Sequence, residues 1–152
     1  MAVKSFQGQR ADSEEVKSKI LVKHHMAAKL ITFKPDQSVL DVMELLIKNK
    51  ISGGPVVDEN NELVGIISEG DCLKQISQSQ YYNLPMADIK VQDYMIKEVK
   101  TIDAYSTVFE AADQFLNTHI RRFPVMKYGK LVGQISQRDV LDAVLKMKNQ
   151  KW

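Results

Sequence analysis

A chain that writes the same pattern twice is expected to fold into two like parts, and this chain repeats itself. "GIISEGDCLKQI" begins at Gly65 and "GQISQRDVLDAV" at Gly133. Each reads glycine, a short apolar stretch, serine, two variable residues, aspartate, then a helix-like run. With Val22 placed over Val91, Thr32 falls on Thr101, Val39 on Val108, Ile51 on Ile120 and Pro55 on Pro124. One residue is then lost between "DENNELVG" and "KYGKLVG", after which Ser68 meets Ser136 and Asp71 meets Asp139. The copies occupy 21–76 and 91–146, with a connector over 77–90, an extension over 1–20 and a tail over 147–152. Two copies are too few for an open solenoid. Two copies packed face to face about a pseudo-two-fold axis are the expected alternative.

Each copy reads as strand, helix, strand, strand, helix, a mixed α/β (α+β) class. "KLITF", Lys29 to Phe33, is expected as a short strand, ended by a turn at Pro35 and Asp36. Val39, Val42, Met43, Leu46 and Ile47 then recur at helical spacing. Ser38 with Asp41, and Thr107 with Glu110, read as capping boxes. "GPVVDENNELVGIIS" predicts a hairpin, repeated in the second copy with a turn one residue shorter that uses Gly129. Helices are expected to start near Glu69 and Gln137. Upstream, "DSEEVKSKILVKHH" predicts a further helix capped at Asp12 or Ser13.

Composition narrows the setting. Of the 152 residues 44% are hydrophobic and 26% charged, the profile of a soluble domain able to bury a core. A net charge of +2 with interleaved signs gives no call for a nucleic-acid partner. Cys72 is the only cysteine, so no intrachain disulfide forms, which fits a reducing cytoplasm. The first residues lack a signal-peptide core. No apolar run approaches the roughly 20 residues of a membrane span.

The Ser-x-x-Asp pairs are first of all capping signatures. Two features pull the other way. Aspartate is short for the reciprocal bond that glutamate usually makes, and Gly65 and Gly133 sit inside strand patterns, where glycine marks a close backbone approach. A helix N-terminus also favours an anion such as phosphate, and an aspartate beside it can accept from two ribose hydroxyls. The copies differ in charge. The second carries Arg121, Arg122 and Arg138; the first has Ser52, Gly53 and Gly70 there, and Glu69 in place of Gln137. Guanidinium groups bind phosphate through paired hydrogen bonds. The same arginines also suit a solvated loop or a subunit contact. Other candidates carry less. His24, His25 and His119 make no recognisable metal set. Cys72 reads as a small buried residue, and Tyr81 and Tyr82, in the connector, as packing over the module rather than stacking on a base.

The ordered elements "VKHHM", "SVLDVMELL", "GGPVVD" and "GIISEGD", and again "VQDYM", "TVFEAADQF", "RFPVMK" and "GQISQRD", resemble the CBS domain, named for the regulatory region of cystathionine β-synthase. The resemblance covers Leu21 to Leu145. It implies a free-standing tandem pair, a Bateman module, whose two clefts between the repeats bind adenosine-containing ligands. It assigns ribose contacts to Asp71 and Asp139, places Ser68 and Ser136 near the phosphate, and sends Arg122, and Arg121 beside it, to ligand phosphates. Arg138, the proline pair Pro55 and Pro124 and the threonine pair Thr32 and Thr101 complete the candidate ligand-binding set.

The reading that follows is a regulatory sensor of AMP, ADP, ATP or S-adenosylmethionine. It needs no cofactor, does no chemistry, and signals to a regulated enzyme or transporter. A homodimer is expected through Leu40, Leu45 and Ile47 of one helix and Phe109, Phe115 and Leu116 of another. The alternative is a structural dimerisation or interaction module with empty clefts. A nucleic-acid binder resting on Arg121, Arg122 and nearby lysines comes third.

Overall fold

A computed structural model describes residues 20–82 and 88–149. The expected caps at Asp12 and Ser13, the side chains of Tyr81 and Tyr82, and the last residues of the tail lie outside the described residues. The chain forms two compact units, one from residues up to Lys29 together with those from Thr101 onward, the other from Leu30–Lys100. We call them the split unit and the continuous unit.

In the continuous unit, α1 (Val39–Asn49) leads to the hairpin β1 (Gly53–Val57) and β2 (Leu63–Ser68), then α2 (Glu69–Tyr82). In the split unit, β3 (Ile102–Asp103) and α3 (Val108–Thr118) lead to the hairpin β4 (Arg122–Lys127) and β5 (Lys130–Ser136), then α4 (Gln137–Asn149). The helices begin where their caps stand. The Ser38 hydroxyl accepts from the Leu40 amide at 3.2 Å, and that of Thr107 from the Glu110 amide at 3.1 Å. Both helices end on a left-handed residue, Lys50 and His119, which satisfies last-turn carbonyls at some cost in Cβ strain.

The expected strand at Lys29–Phe33 shrinks to a single parallel bridge, Phe33 with Val56. The Phe33 amide donates to the Pro55 carbonyl and the Val57 amide to that of Phe33, both at 2.9 Å. The next ladder bond toward Ile31 would need an N–H at residue 55, and proline has none. In the split unit β3 pairs with β4 in parallel, Ile102 opposite Val125, beyond Pro124.

The sequence repeats and the compact units do not coincide. Val22, which opens the first repeat, is fully buried in the split unit with Val108, Phe123 and Ile135. Val91, which opens the second, is fully buried in the continuous unit with Phe33, Val56 and Ile67. Each lead-in forms a short 3-10 turn, Val22–His24 or Val91–Asp93. The helix expected to run through His25 is therefore absent over Leu21–His25. There the Val22 amide donates to Ser106 O at 2.7 Å and the Lys23 amide to Ala104 O at 2.9 Å. Each lead-in then adds an antiparallel bridge at the open side of the hairpin, Ala27 with Gln134 and Ile66 with Ile96.

These bridges explain the strand glycines. A Cβ on Gly133 would stand 2.5 Å from Met26 Sδ and 2.8 Å from the Ala27 carbonyl; on Gly65 it would stand 2.7 Å from Met95 Sδ and 3.0 Å from the Ile96 carbonyl. The close approach expected at both glycines is real. The approaching group is the methionine that ends a lead-in, so the glycines carry no argument for a ligand.

Candidate functional site

In each hairpin the residues alternate between two faces. Phe123, Val125 and Ile135 face the core of the split unit, so Arg122, Pro124 and Ser136 share the opposite face. Arg122 sits directly across from Ser136, and Pro124 from Gln134. Thr101 precedes Ile102, which pairs with Val125, so Thr101 joins the same face beside Pro124. In the continuous unit Gly53 faces Ser68 and Pro55 faces Ile66. Thr32, next to the bridged Phe33, lies on that face as well. Both threonines are exposed and both prolines buried.

At the end of this face the strand turns into a helix through the Ser-x-x-Asp pair. Here the expectation that aspartate is too short to close a capping box is wrong. Asp139 Oδ2 accepts from the Ser136 amide at 2.9 Å, and the Asp139 amide donates to Ser136 Oγ at 3.1 Å. In the continuous unit Asp71 Oδ2 accepts from the Ser68 amide at 2.8 Å and from Ser68 Oγ at 3.1 Å. One oxygen of each carboxylate is thus committed to the turn. The Oδ1 atoms accept no hydrogen bond among the described residues and remain as acceptors. Capping therefore leaves one oxygen of each aspartate open to a further contact. The helix amides are less open than the anion argument assumes: that of Glu69 donates to Ser52 O at 2.9 Å and that of Gln137 to Arg121 O at 3.4 Å.

The arginines separate. Arg122 is half-buried on the face shared with Ser136, whereas Arg121 and Arg138 are exposed, one before β4 and one in the first turn of α4. The position equivalent to Arg122 is Gly53, where a Cβ would lie 2.6 Å from Ile67 O and 3.0 Å from Ser68 Cα. Both Glu69 and Asp71 stand in the first turn of α2, against Asp139 alone in α4. The face of the continuous unit is therefore the more acidic one, and it has no room for a basic side chain at residue 53.

Cys72 is buried, and burial, with the nearby charges of Asp71 and Glu69, pushes its thiol up from the ordinary value. Both effects hold the thiol in its neutral form and disfavour the thiolate that a nucleophile needs. The His24 imidazole is pushed down by burial and by Lys23 and His25. No group of three His, Cys, Asp or Glu side chains gathers as a metal cage among the described residues, and none of their helices is long and apolar enough to cross a membrane.

The sequence reading missed Gln134, which shares the face of Arg122 and Ser136, a placement readable from strand alternation once Gly133 and Ile135 are put in the core. It also gave no role to Tyr105 and Tyr128, which form a second cluster with Lys23 and Lys127.

Comparison with known proteins agrees on one family. The model described as CBS domain matches residues 22–78 and 91–146. The uncharacterized protein MJ1426 of Methanocaldococcus jannaschii is 30% identical, over 83% of this chain and 92% of its own length. The crystal structure of CBSX2 of Arabidopsis thaliana in complex with AMP superposes with a TM-score of 0.74 at 32% identity, covering 84% of this chain and 98% of that one. The CBS domain pair of protein MJ0100, in complex with 5-methylthioadenosine and S-adenosyl-L-methionine, gives a TM-score of 0.69 at 28% identity over 84% of this chain and 97% of that one.

Proposed function

Since the chain belongs to the CBS-domain family as a tandem pair, we propose that it is a regulatory module that binds adenosine-containing ligands and passes its ligand state to a partner. The observation that carries this is the free Oδ1 of Asp139 at the end of a face that also holds Arg122, Ser136 and Thr101. A carboxylate oxygen beside a serine hydroxyl suits a ribose edge, and a guanidinium on the same face suits its phosphate. The AMP bound by CBSX2 has both parts, and the 5-methylthioadenosine and S-adenosyl-L-methionine bound by MJ0100 have the ribose without the phosphate. Asp71 and Ser68 give the continuous unit the ribose half of the arrangement without the cation, so it suits an uncharged or cationic adenosyl compound. Pro55 and Pro124 would line the base. Arg121 and Arg138 would add only long-range attraction.

The module would do no chemistry of its own. Binding shifts a partner, a regulated enzyme or transporter, only if the ligand prefers one of two states. A homodimer is part of the proposal: Ile47, Phe109 and Leu116 are exposed apolar residues on α1 and α3. Phe115 and Leu45, expected to join them, do not: Phe115 is buried in the split unit against Phe123, and Leu45 packs on the core of the continuous unit. The reducing cytoplasm is the setting a single buried thiol suits.

The test is a thermal-shift series on ligand-free protein with AMP, ATP, S-adenosylmethionine and adenosine. A ligand at about 100 times its dissociation constant adds roughly 2.7 kcal/mol, a rise of several degrees in Tm. No shift with any of them overturns the sensor and leaves a dimerisation or interaction module.

A further inference from the structure

The hairpin end of the split unit carries an aromatic and basic patch. Tyr128 is 83% exposed, and Tyr105 is 40% exposed. Their rings lie 6.0 Å apart and their hydroxyls 3.4 Å apart. Lys23 Nζ sits 4.7 Å from the Tyr105 ring centre, and Lys127 Nζ 5.8 Å and 6.0 Å from those of Tyr105 and Tyr128. Tyr128 is also held at φ 51°, followed by Gly129 at φ 77°. A two-residue turn with both φ positive favours Asn-Gly, and a bulky side chain there is strained. Local stability therefore does not explain the tyrosine. Strain retained on an exposed aromatic side chain points to a contact outside the unit.

The equivalent end of the continuous unit names the partner. Where the split unit has Lys127, Lys130 and Tyr105, the continuous unit has Asp58, Glu62 and Asp36, and its longer turn adds Glu59. Lys127 and Lys130 are thus matched by carboxylates, the uncharged Tyr105 by Asp36, and Asp103 by Lys34. The acidic end is well formed. Asp58 Oδ1 accepts from the Asn60 and Glu62 amides, both at 2.9 Å, and Lys34 Nζ donates to Asp58 O at 3.2 Å. Asp36, Glu59 and Glu62 are exposed.

We propose that the Tyr105–Tyr128 end is a docking surface for a second copy of this chain, which presents its Asp36, Glu59 and Glu62 end. The contact is heterologous, so it propagates or closes into a ring. It is independent of ligand binding and of the apolar helix faces. Opposite charges across it make it sensitive to salt, and the two tyrosines supply the aromatic anchor that interfaces favour.

Sedimentation velocity on the wild type and three variants tests this. The wild type should have a larger mass at low salt than in molar salt. Lys127→Glu with Lys130→Glu makes both ends acidic, and Glu59→Lys with Glu62→Lys makes both basic. Each variant alone should keep its high-salt mass at low salt, and an equimolar mixture should regain the larger species. Tyr128→Asn, which suits the turn, should weaken the association at least about tenfold while leaving the melting temperature unchanged or higher. A salt-independent wild-type mass, or a mixture that fails to reassociate although both variants fold, overturns the proposal. So does a single-stranded oligonucleotide that binds through Lys127 and Lys130 in a protein that never self-associates; the patch would then be a nucleic-acid surface.

Discussion

The two units use one backbone plan to opposite ends at the strand–helix junction. The split unit closes a full reciprocal box between Ser136 and Asp139 and carries Arg122 across from the serine. The continuous unit spends the Ser68 hydroxyl on Asp71 and puts Gly53 across from it. The cores diverge in the same way. The large ring comes from Phe123 on β4 in one unit and from Phe33 on the neighbouring bridge in the other, where Gly54 leaves it room. The two repeats thus share an order of elements but differ in which strand supplies bulk and which end supplies charge.

The largest expected effect tests the exchanged rings. Phe33→Ala and Phe123→Ala should each cost about 3–5 kcal/mol in urea unfolding. Adding Gly54→Phe to Phe33→Ala should not restore the loss, because a Cβ at residue 54 would meet the Ile31 carbonyl at 2.8 Å. Full recovery would show that the strands are more adjustable than the backbone implies.

Ligand affinity tests the junctions next. Arg122→Ala should weaken AMP by about 10- to 150-fold, the worth of one charge-assisted hydrogen bond, and leave adenosine nearly unchanged in calorimetric titration. Asp139→Asn, which keeps an oxygen for the cap but turns the second acceptor into a donor, should weaken both. Equal loss of AMP and adenosine in Arg122→Ala would deny that arginine its phosphate role. A tight AMP site lost in Asp71→Asn and kept in Asp139→Asn would reverse the assignment of the two units.

Smaller effects separate the two boxes and the two β-strand positions. Gly53→Ala should destabilise by about 1–3 kcal/mol through overpacking against Ile67 and Ser68; a neutral result would reopen residue 53 to a basic side chain. Ser136→Ala removes a hydroxyl that accepts from a helix amide and should cost about 1 kcal/mol. Ser68→Ala, whose hydroxyl donates to a carboxylate that already holds the Ser68 amide, should cost less when both are compared by thermal melting. The smallest change is favourable: His119→Gly should relieve left-handed strain by up to about 1 kcal/mol.

Local chemistry was readable in the sequence and long-range chemistry was not. Helical spacing after Ser38 and Thr107, the polar hairpin turns and the starts at Glu69 and Gln137 all depend on near neighbours, and all appear where expected. Lys29–Phe33 has β-forming residues but lacks a partner N–H, because the partner is Pro55. Gly65 and Gly133 announced a close approach, yet nothing near them in sequence identifies Met95 and Met26 as the groups that approach. Phe115 and Leu45 belong to broad apolar stripes in which the core edge and the open face cannot be told apart by periodicity. The Ser-x-x-Asp pairs were ambiguous because one aspartate has two oxygens, and only the structure shows that the cap takes one of them.

The exchange of lead-ins makes the two halves mutually dependent. Val22 completes the core built mainly from the second repeat, and Val91 the core built mainly from the first. Cutting the chain between the repeats would leave each half with a hole where a valine belongs, and two such halves would regain both cores only by reuniting.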